Sequence, residues 1–150
     1  MPDVLVQIVG SHPSQKVQSL QAQDVIVTGF VSEELLTILY RSSCIAIAPL
    51  RFGGGVKGKI IEAMRYGVPV VTTTTGLHGI DGGEEFLKVA DEPEAFAKAI
   101  IELLGDPKLR RRLANRGLNF LAKHYSQRAA RDLLALDLPE LAYDSQPTVI

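Results

Sequence analysis

The segment Cys44–Thr75, CIAIAPLRFGGGVKGKIIEAMRYGVPVVTTTT, reads in one pass as strand, glycine-rich turn, helix and strand. Cys44–Ala48 is a short apolar run closed by Pro49, which cannot donate to a β-ladder. A cysteine inside such a run is expected to be a packed core thiol rather than a nucleophile. Gly53, Gly54 and Gly55 follow, residues that tolerate positive φ and let another molecule approach the backbone. From Val56 to Tyr66 the apolar positions 56, 60, 61 and 64 have the spacing of one buried helical face. Gly67 stops that helix, and Pro69-Val70-Val71 opens a β-branched strand. A turn between the carboxyl end of a strand and the amino end of a helix presents N–H groups at the positive end of the helix dipole. An anion, phosphate above all, gains about 0.3–1 kcal/mol there from the dipole alone.

The rest of the chain alternates in the same way. Val4–Val9 is a strand-length run ended by Gly10-Ser11, with His12 and Pro13 continuing the turn. Ser14–Ala22 is a weak helix candidate anchored by Val17 and Leu20. Val25-Ile26-Val27 is a second strand, ended by Thr28-Gly29. Ser32 caps a helix to about Ser42, with Glu33 and Glu34 in its first turn and Leu35, Leu36, Leu39 and Tyr40 on its buried side. After Thr75 comes a loop carrying Gly76, Gly79, Gly82 and Gly83, with His78 in it, and then a strand over Phe86–Ala90. Asp91 is expected to cap a helix through Leu104, which Gly105-Asp106-Pro107 breaks. Lys108 to about Tyr125 is a basic helix with His124 near its end. Its Lys108 and Arg110–Arg112 are read as a solvated face, with anionic lipid the sharper alternative. Ser126 caps a further helix through Leu136. Residues 1–138 form one domain in this reading, and 139–150 a frayed tail.

Strands alternating with helices argue for an α/β fold, a doubly wound parallel sheet covered on both faces. Ligands of such sheets lie outside the carboxyl ends of the strands. That rule gathers the loops Gly10–Pro13, Thr28–Val31, Pro49–Gly55 and Thr73–Gly83 on one rim. A net charge of −1 supplies no basic field for nucleic acid. The single cysteine excludes an internal disulfide and fits a reducing compartment. Met1-Pro2-Asp3 lacks the basic start of a signal peptide, and no apolar run reaches the length of a membrane span. The expected location is cytoplasmic, with a peripheral contact at the inner membrane face left open. No Cys pair, His-x-x-x-His or Asp-x-Asp suggests a metal.

The run APLRFGGGVKGKIIEAMRYGVPVVTTTTGLHGI resembles the donor-binding segment of retaining glycosyltransferases of the GT-B architecture, family 4, also called group 1. The flanking VQIVG, VIVTGFVS, LLGDPKLRRRLANRG and HYSQRAARD agree in order, so the resemblance spans roughly Val4 to Leu136. It implies the C-terminal, Rossmann-like half of such an enzyme, which binds a nucleoside diphosphate sugar and transfers a hexose with retention to a glycan, lipid or small acceptor. Members usually carry two glutamates separated by seven residues. The second falls on Glu62, where the family carboxylate accepts hydrogen bonds from the donor ribose. The first would fall on Gly54 and is absent, which leaves the sugar contacts open. The resemblance further implies that the N–H groups of Gly54, Gly55 and Val56, beside Gly53, face the sugar or diphosphate. Lys57 or Lys59 would supply a cation, and Gly29, Phe30 and Val31 would lie against the nucleobase; Arg51, by its own chemistry, could clamp a phosphate bidentately or equally cap the sheet rim. No cofactor or metal is implied beyond the donor itself.

The resemblance also implies a missing half. The acceptor would be held by an N-terminal domain, and the chain starts at what would be the second strand of the C-terminal one. Losing a central first strand would leave either a gap or a direct junction between Val4–Val9 and Ile45–Ala48. A homo-oligomer supplying the missing strand is one remedy. Little turnover is expected of the segment alone. Two other readings stay open: a non-catalytic or truncated binding domain of the same fold, and a fragment of a nucleotide-sugar epimerase.

Overall fold

The structure, a computed structural model, describes residues 4–126. The expected helix from Ser126 and the tail from residue 139 lie outside the described residues. The chain divides into two compact units, one ending at Ser42 and one beginning at Ser43.

In the first unit, β1 (Val6–Val9) pairs in parallel with β2 (Val25–Gly29), Val6 opposite Val25 and Ile8 opposite Val27. Between them α1 (Gln15–Gln18) is a single turn, capped by the Ser14 hydroxyl, which accepts from the Val17 N–H at 3.3 Å. It is shorter than expected because its anchors fail to bury: Leu20 is 53% exposed and Val17 only half-buried. The next helix, α2 (Glu33–Ser42), starts as expected, with the Leu35 N–H donating to Ser32 Oγ at 3.3 Å. Its expected burial does not hold. Leu35 is exposed, Leu36, Leu39 and Tyr40 are half-buried, and no described residue of this unit is fully buried.

The second unit holds the core. β3 (Ala46–Ala48), β4 (Val70–Thr72) and β5 (Lys88–Val89) form a parallel sheet in that order, Ile47 opposite Val71 and Val71 opposite Lys88. The five strands among the described residues thus make two parallel sheets, one in each unit. β4 is buried along its whole length, as its β-branched composition requires of a strand covered on both faces. β3 is an edge strand of this sheet, so Ile47 stays 45% exposed. Cys44 precedes β3 and is exposed, which corrects the expectation of a core thiol. The strand expected over Phe86–Ala90 shrinks to two residues, because Gly83–Glu85 forms a 3-10 turn immediately before it; Phe86 and Leu87 are nevertheless buried.

The helix after β3, α3 (Gly58–Arg65), buries Ile60, Ile61, Ala63 and Met64. Val56 does not share that face. It lies ahead of the helix and is 45% exposed, since the glycine turn extends two residues further than its apolar spacing suggests. Gly67, at φ 68°, closes the helix: its N–H donates to Met64 O at 2.9 Å and the Val68 N–H to Ala63 O at 3.1 Å. These two bonds satisfy carbonyls the helix leaves orphaned. After β4 come a one-turn helix, α4 (Thr74–Leu77), and two longer helices, α5 (Pro93–Gly105) and α6 (Pro107–His124). Leu103 of α5 packs with Val71, Leu109 and Leu113. On α6, Gly117 lets Met64 of α3 approach to 3.4 Å of where a Cβ would stand.

Asp106 caps α6, its Oδ1 accepting from Lys108 and Leu109 N–H at 2.9 Å each. Asp91 does not cap α5. That position belongs to Glu92, which makes no side-chain cap bond, while Asp91 reaches back to α4. Arg110 also departs from its expected role on a solvated face. Half-buried, it donates through Nη1 to the carbonyls of Leu103 and Leu104 and so terminates α5.

Candidate functional site: a glycine turn braced by a threonine seam

The glycine turn leaves β3 and enters α3. Gly53 (φ 122°) and Gly55 (φ 65°) hold backbone conformations that L side chains rarely adopt, so glycine is required at both. Gly54 has ordinary backbone, and a Cβ there would meet nothing within 4 Å. The position of the absent glutamate is therefore sterically open. Lys57, the N-cap of α3, makes no side-chain cap bond to the helix. Its ammonium folds back over the turn and donates to the carbonyls of Gly54 at 2.8 Å and Gly55 at 2.9 Å.

With those carbonyls turned onto Lys57, the N–H groups of Gly54, Gly55 and Val56 donate to no group among the described residues. The first N–H groups of α3 are orphaned as in any helix. Between Arg51 and Lys59 the sequence RFGGGVKGK carries three cations and no carboxylate. Such a turn attracts negative charge through backbone dipoles and cations together.

Other named residues fall in different places. Glu62 is half-buried on α3, and Lys59 is exposed one residue into that helix. Arg51 turns elsewhere: it lines a cavity of about 300 Å³ with Pro49, Thr73, Asp91, Phe96 and Ile100, and none of the glycines lines it. Gly29 (φ 72°), Phe30 (83% exposed) and Val31 lie in the first unit, at the carboxyl end of β2. His12, at φ 55°, and His78, after α4, are both exposed. Among the described residues no group of three His, Cys, Asp or Glu side chains is placed to hold a metal ion.

Sequence reasoning missed the brace behind the turn. Thr72 Oγ1 donates to Ala48 O at 2.9 Å and Thr73 Oγ1 to Leu50 O at 2.5 Å, stitching β4 to the exit of β3. Thr74 donates twice to Asp91, from its N–H at 2.8 Å and its hydroxyl at 2.6 Å. Those bonds, the hydroxyl first, hold the Asp91 carboxyl below the usual carboxylate range. The segment from α4 to Gly79 passes close to β4 and to the glycine turn only where side chains are absent. A Cβ on Gly76 would stand 1.9 Å from Thr72 Oγ1, and one on Gly79 (φ 80°) 2.8 Å from Val56 Cγ2 and 3.1 Å from Val56 N. Gly79 therefore presses directly on the glycine turn. The run of four threonines followed by spaced glycines was the available signal, but it read as a loop.

A parallel α/β sheet with an anion-seeking turn at its carboxyl rim has close structural counterparts. The chain superposes on the crystal structure of TarM with a TM-score of 0.72 at 16% identity, covering 89% of this chain and 28% of that one. It matches the C-terminal domain of the glycosyl transferase group 1 protein LpcC from Francisella tularensis at 0.61 and 22% identity, over 75% of this chain and 60% of that one. Sucrose-phosphate synthase from Thermosynechococcus elongatus matches at 0.67 and 24% identity, over 91% and 37%. The fold is that of the C-terminal half of GT-B glycosyltransferases. The family model for group 1 glycosyl transferases matches residues 1–106, and the chain belongs to that family. An uncharacterized 44.6 kDa protein in the cps region of Klebsiella pneumoniae is 29% identical over 136 residues; the match covers 85% of this chain but 35% of that relative.

Proposed function

We propose that the chain is the donor-binding part of a retaining glycosyltransferase, taking a nucleoside diphosphate sugar and delivering its hexose to a glycan, lipid or small acceptor held by another domain. The observation that carries this reading is the uncapped start of α3 behind a turn whose Gly54, Gly55 and Val56 N–H groups have no acceptor among the described residues and whose side chains are all basic or neutral. The diphosphate would seat on Gly54, Gly55 and Val56, with Lys57 exchanging its two carbonyl partners for phosphate oxygens. As the sugar departs, charge builds on the leaving diphosphate, and donors already in place stabilise it without reorganisation. Glu62 would accept from the ribose hydroxyls. No metal is needed in this scheme, since N–H groups and ammonium supply the positive field.

Gly54 favours a second reading, a binding domain that has lost transfer, because the carboxylate expected to touch the sugar is missing. Ligand-observed NMR tests both. The 150-residue chain is titrated with free nucleoside diphosphates and their sugars, and saturation transfer to one base, displaced by its diphosphate, is expected. Glu62→Ala should weaken that binding about tenfold or more, as loss of hydrogen bonds to a charged group does, while Lys108→Ala leaves it unchanged. No transfer from any nucleotide to the folded chain, or equal losses from both variants, would remove the donor reading. Binding without sugar turnover in a longer chain carrying the acceptor domain would select the second.

A further inference from the structure

α6 carries six lysines and arginines and no acidic residue, in a chain whose net charge is −1. Its buried side is Leu109, Leu113, Gly117 and Leu121, which fixes the helix on the core. The opposite side shows Lys108, Arg111, Arg112 and Arg116, interleaved with Asn115 and Asn119, all exposed and lining one shallow open depression of about 410 Å³. None of these four cations forms an ion pair among the described residues, where Lys88–Glu102 supplies the one salt bridge. Arg116 is held at the stripe by a bond from Nη1 to Glu85 O at 3.1 Å. Arg110, the member of the run that turns inward, is not part of it.

We infer that this stripe docks the domain on an anionic membrane surface, its guanidinium and ammonium groups meeting headgroup phosphates. The geometry is a straight row: Lys108 to Asn119 spans about 16 Å along the helix, which matches an array of headgroups rather than one converging ligand. Arginine forks suit phosphate oxygens. No aromatic side chain stands among the stripe residues, so the base stacking that single-stranded nucleic acid uses is absent. Leu118, 39% exposed, borders the row and offers apolar contact to the interface. The inference is independent of the donor site.

Cosedimentation of the 150-residue chain with vesicles tests it. Vesicles of phosphatidylcholine with about a third phosphatidylglycerol should retain the chain at low salt and release it as salt is raised, while phosphatidylcholine alone should not. Arg111→Gln/Arg112→Gln should lower the partition coefficient about twenty-fold or more, at roughly five-fold per charge removed. Lys16→Gln/Arg41→Gln, with the same net charge, should leave it unchanged, and circular dichroism verifies that both variants fold. Equal losses from the two pairs, or equal binding to both vesicle types, overturns the inference. So does tighter binding to duplex DNA or an acidic polysaccharide than to the anionic vesicles at matched charge.

Discussion

The two units of this chain are written in the same grammar of strand, turn and helix, yet they are built to different standards. From Ser43 onward, a three-stranded sheet is packed by α3, α5 and α6, and every buried apolar residue among the described ones lies between Ile60 and Leu121. Before Ser43, two strands and two helices bury nothing completely, and Leu5, Leu20, Leu35 and Ile38 all remain more than 40% exposed. A two-stranded sheet is marginal by itself, while three strands with a packed face can stand. The lesson is that alternation specifies topology, but stability comes from how many layers close over each strand.

Core truncation should break the symmetry most strongly. Leu103, with no exposure, packs against Val71, Leu109 and Leu113. Leu103→Ala removes those contacts and leaves a cavity, so about 3 kcal/mol of unfolding free energy should be lost in a urea titration. Leu35, at 43% exposure, should lose less than about 1 kcal/mol on the same change. If Leu35→Ala proves as costly as Leu103→Ala, the first unit is buried in solution, and the contrast between the units disappears.

The glycines sharpen the comparison at the level of binding. Gly29 in the first unit (φ 72°) and Gly55 in the second (φ 65°) share a left-handed backbone and open space beyond the Cα. Valine at either should cost about 1–2 kcal/mol of backbone strain. Only Gly55 is proposed to meet the diphosphate. Gly55→Val should therefore weaken inorganic pyrophosphate and nucleoside diphosphate alike, by tenfold or more in calorimetry. Gly29→Val, equally strained, should spare pyrophosphate. Gly54→Ala, unstrained and unobstructed, is the control and should keep its fold. Unchanged pyrophosphate affinity in Gly55→Val would take the phosphate role from the turn.

The same contrast explains what could be read from the sequence. Local signals held wherever one residue acts on its neighbours: Ser32 caps α2, Gly67 closes α3, and the order of strands follows the apolar runs. What failed depended on distant partners. Val56 fits the helical spacing but is held outside the helix by a turn that Gly79 presses on, 23 residues further along the chain. Cys44 looks like part of a strand, yet β3 is an edge and begins two residues later. Asp91 stands where a cap belongs, but Thr74 offers it two donors. Arg110 looks like its neighbours in a basic run, and its reach to the end of α5 depends on the angle between two helices. Periodicity carries no information about any of these.

Two carboxylates held below the usual range carry the comparison into pH, where the effects are smallest. Glu34 in the first unit is held low by its own backbone N–H and then by the Ser32 hydroxyl, a tie within one helical turn. Asp91 in the second is held by Thr74, 17 residues away, and so ties α4 to the start of α5. A depressed folded pKa means that each contributes stability at neutral pH. That contribution is lost as pH falls through the folded value, below the ordinary carboxylate range. Asp91→Asn should lower the melting temperature at pH 7 and flatten its decline in acid. It should also loosen the Gly79 contact that braces the glycine turn. Glu34→Gln should shift the acid limb less, because the broken bonds frame one turn of α2 and no tertiary contact. Parallel melting curves for the two variants across pH 7 to 3 would show that the Asp91 tie is as local as the Glu34 one, and the threonine seam would then lose its claim to position the turn.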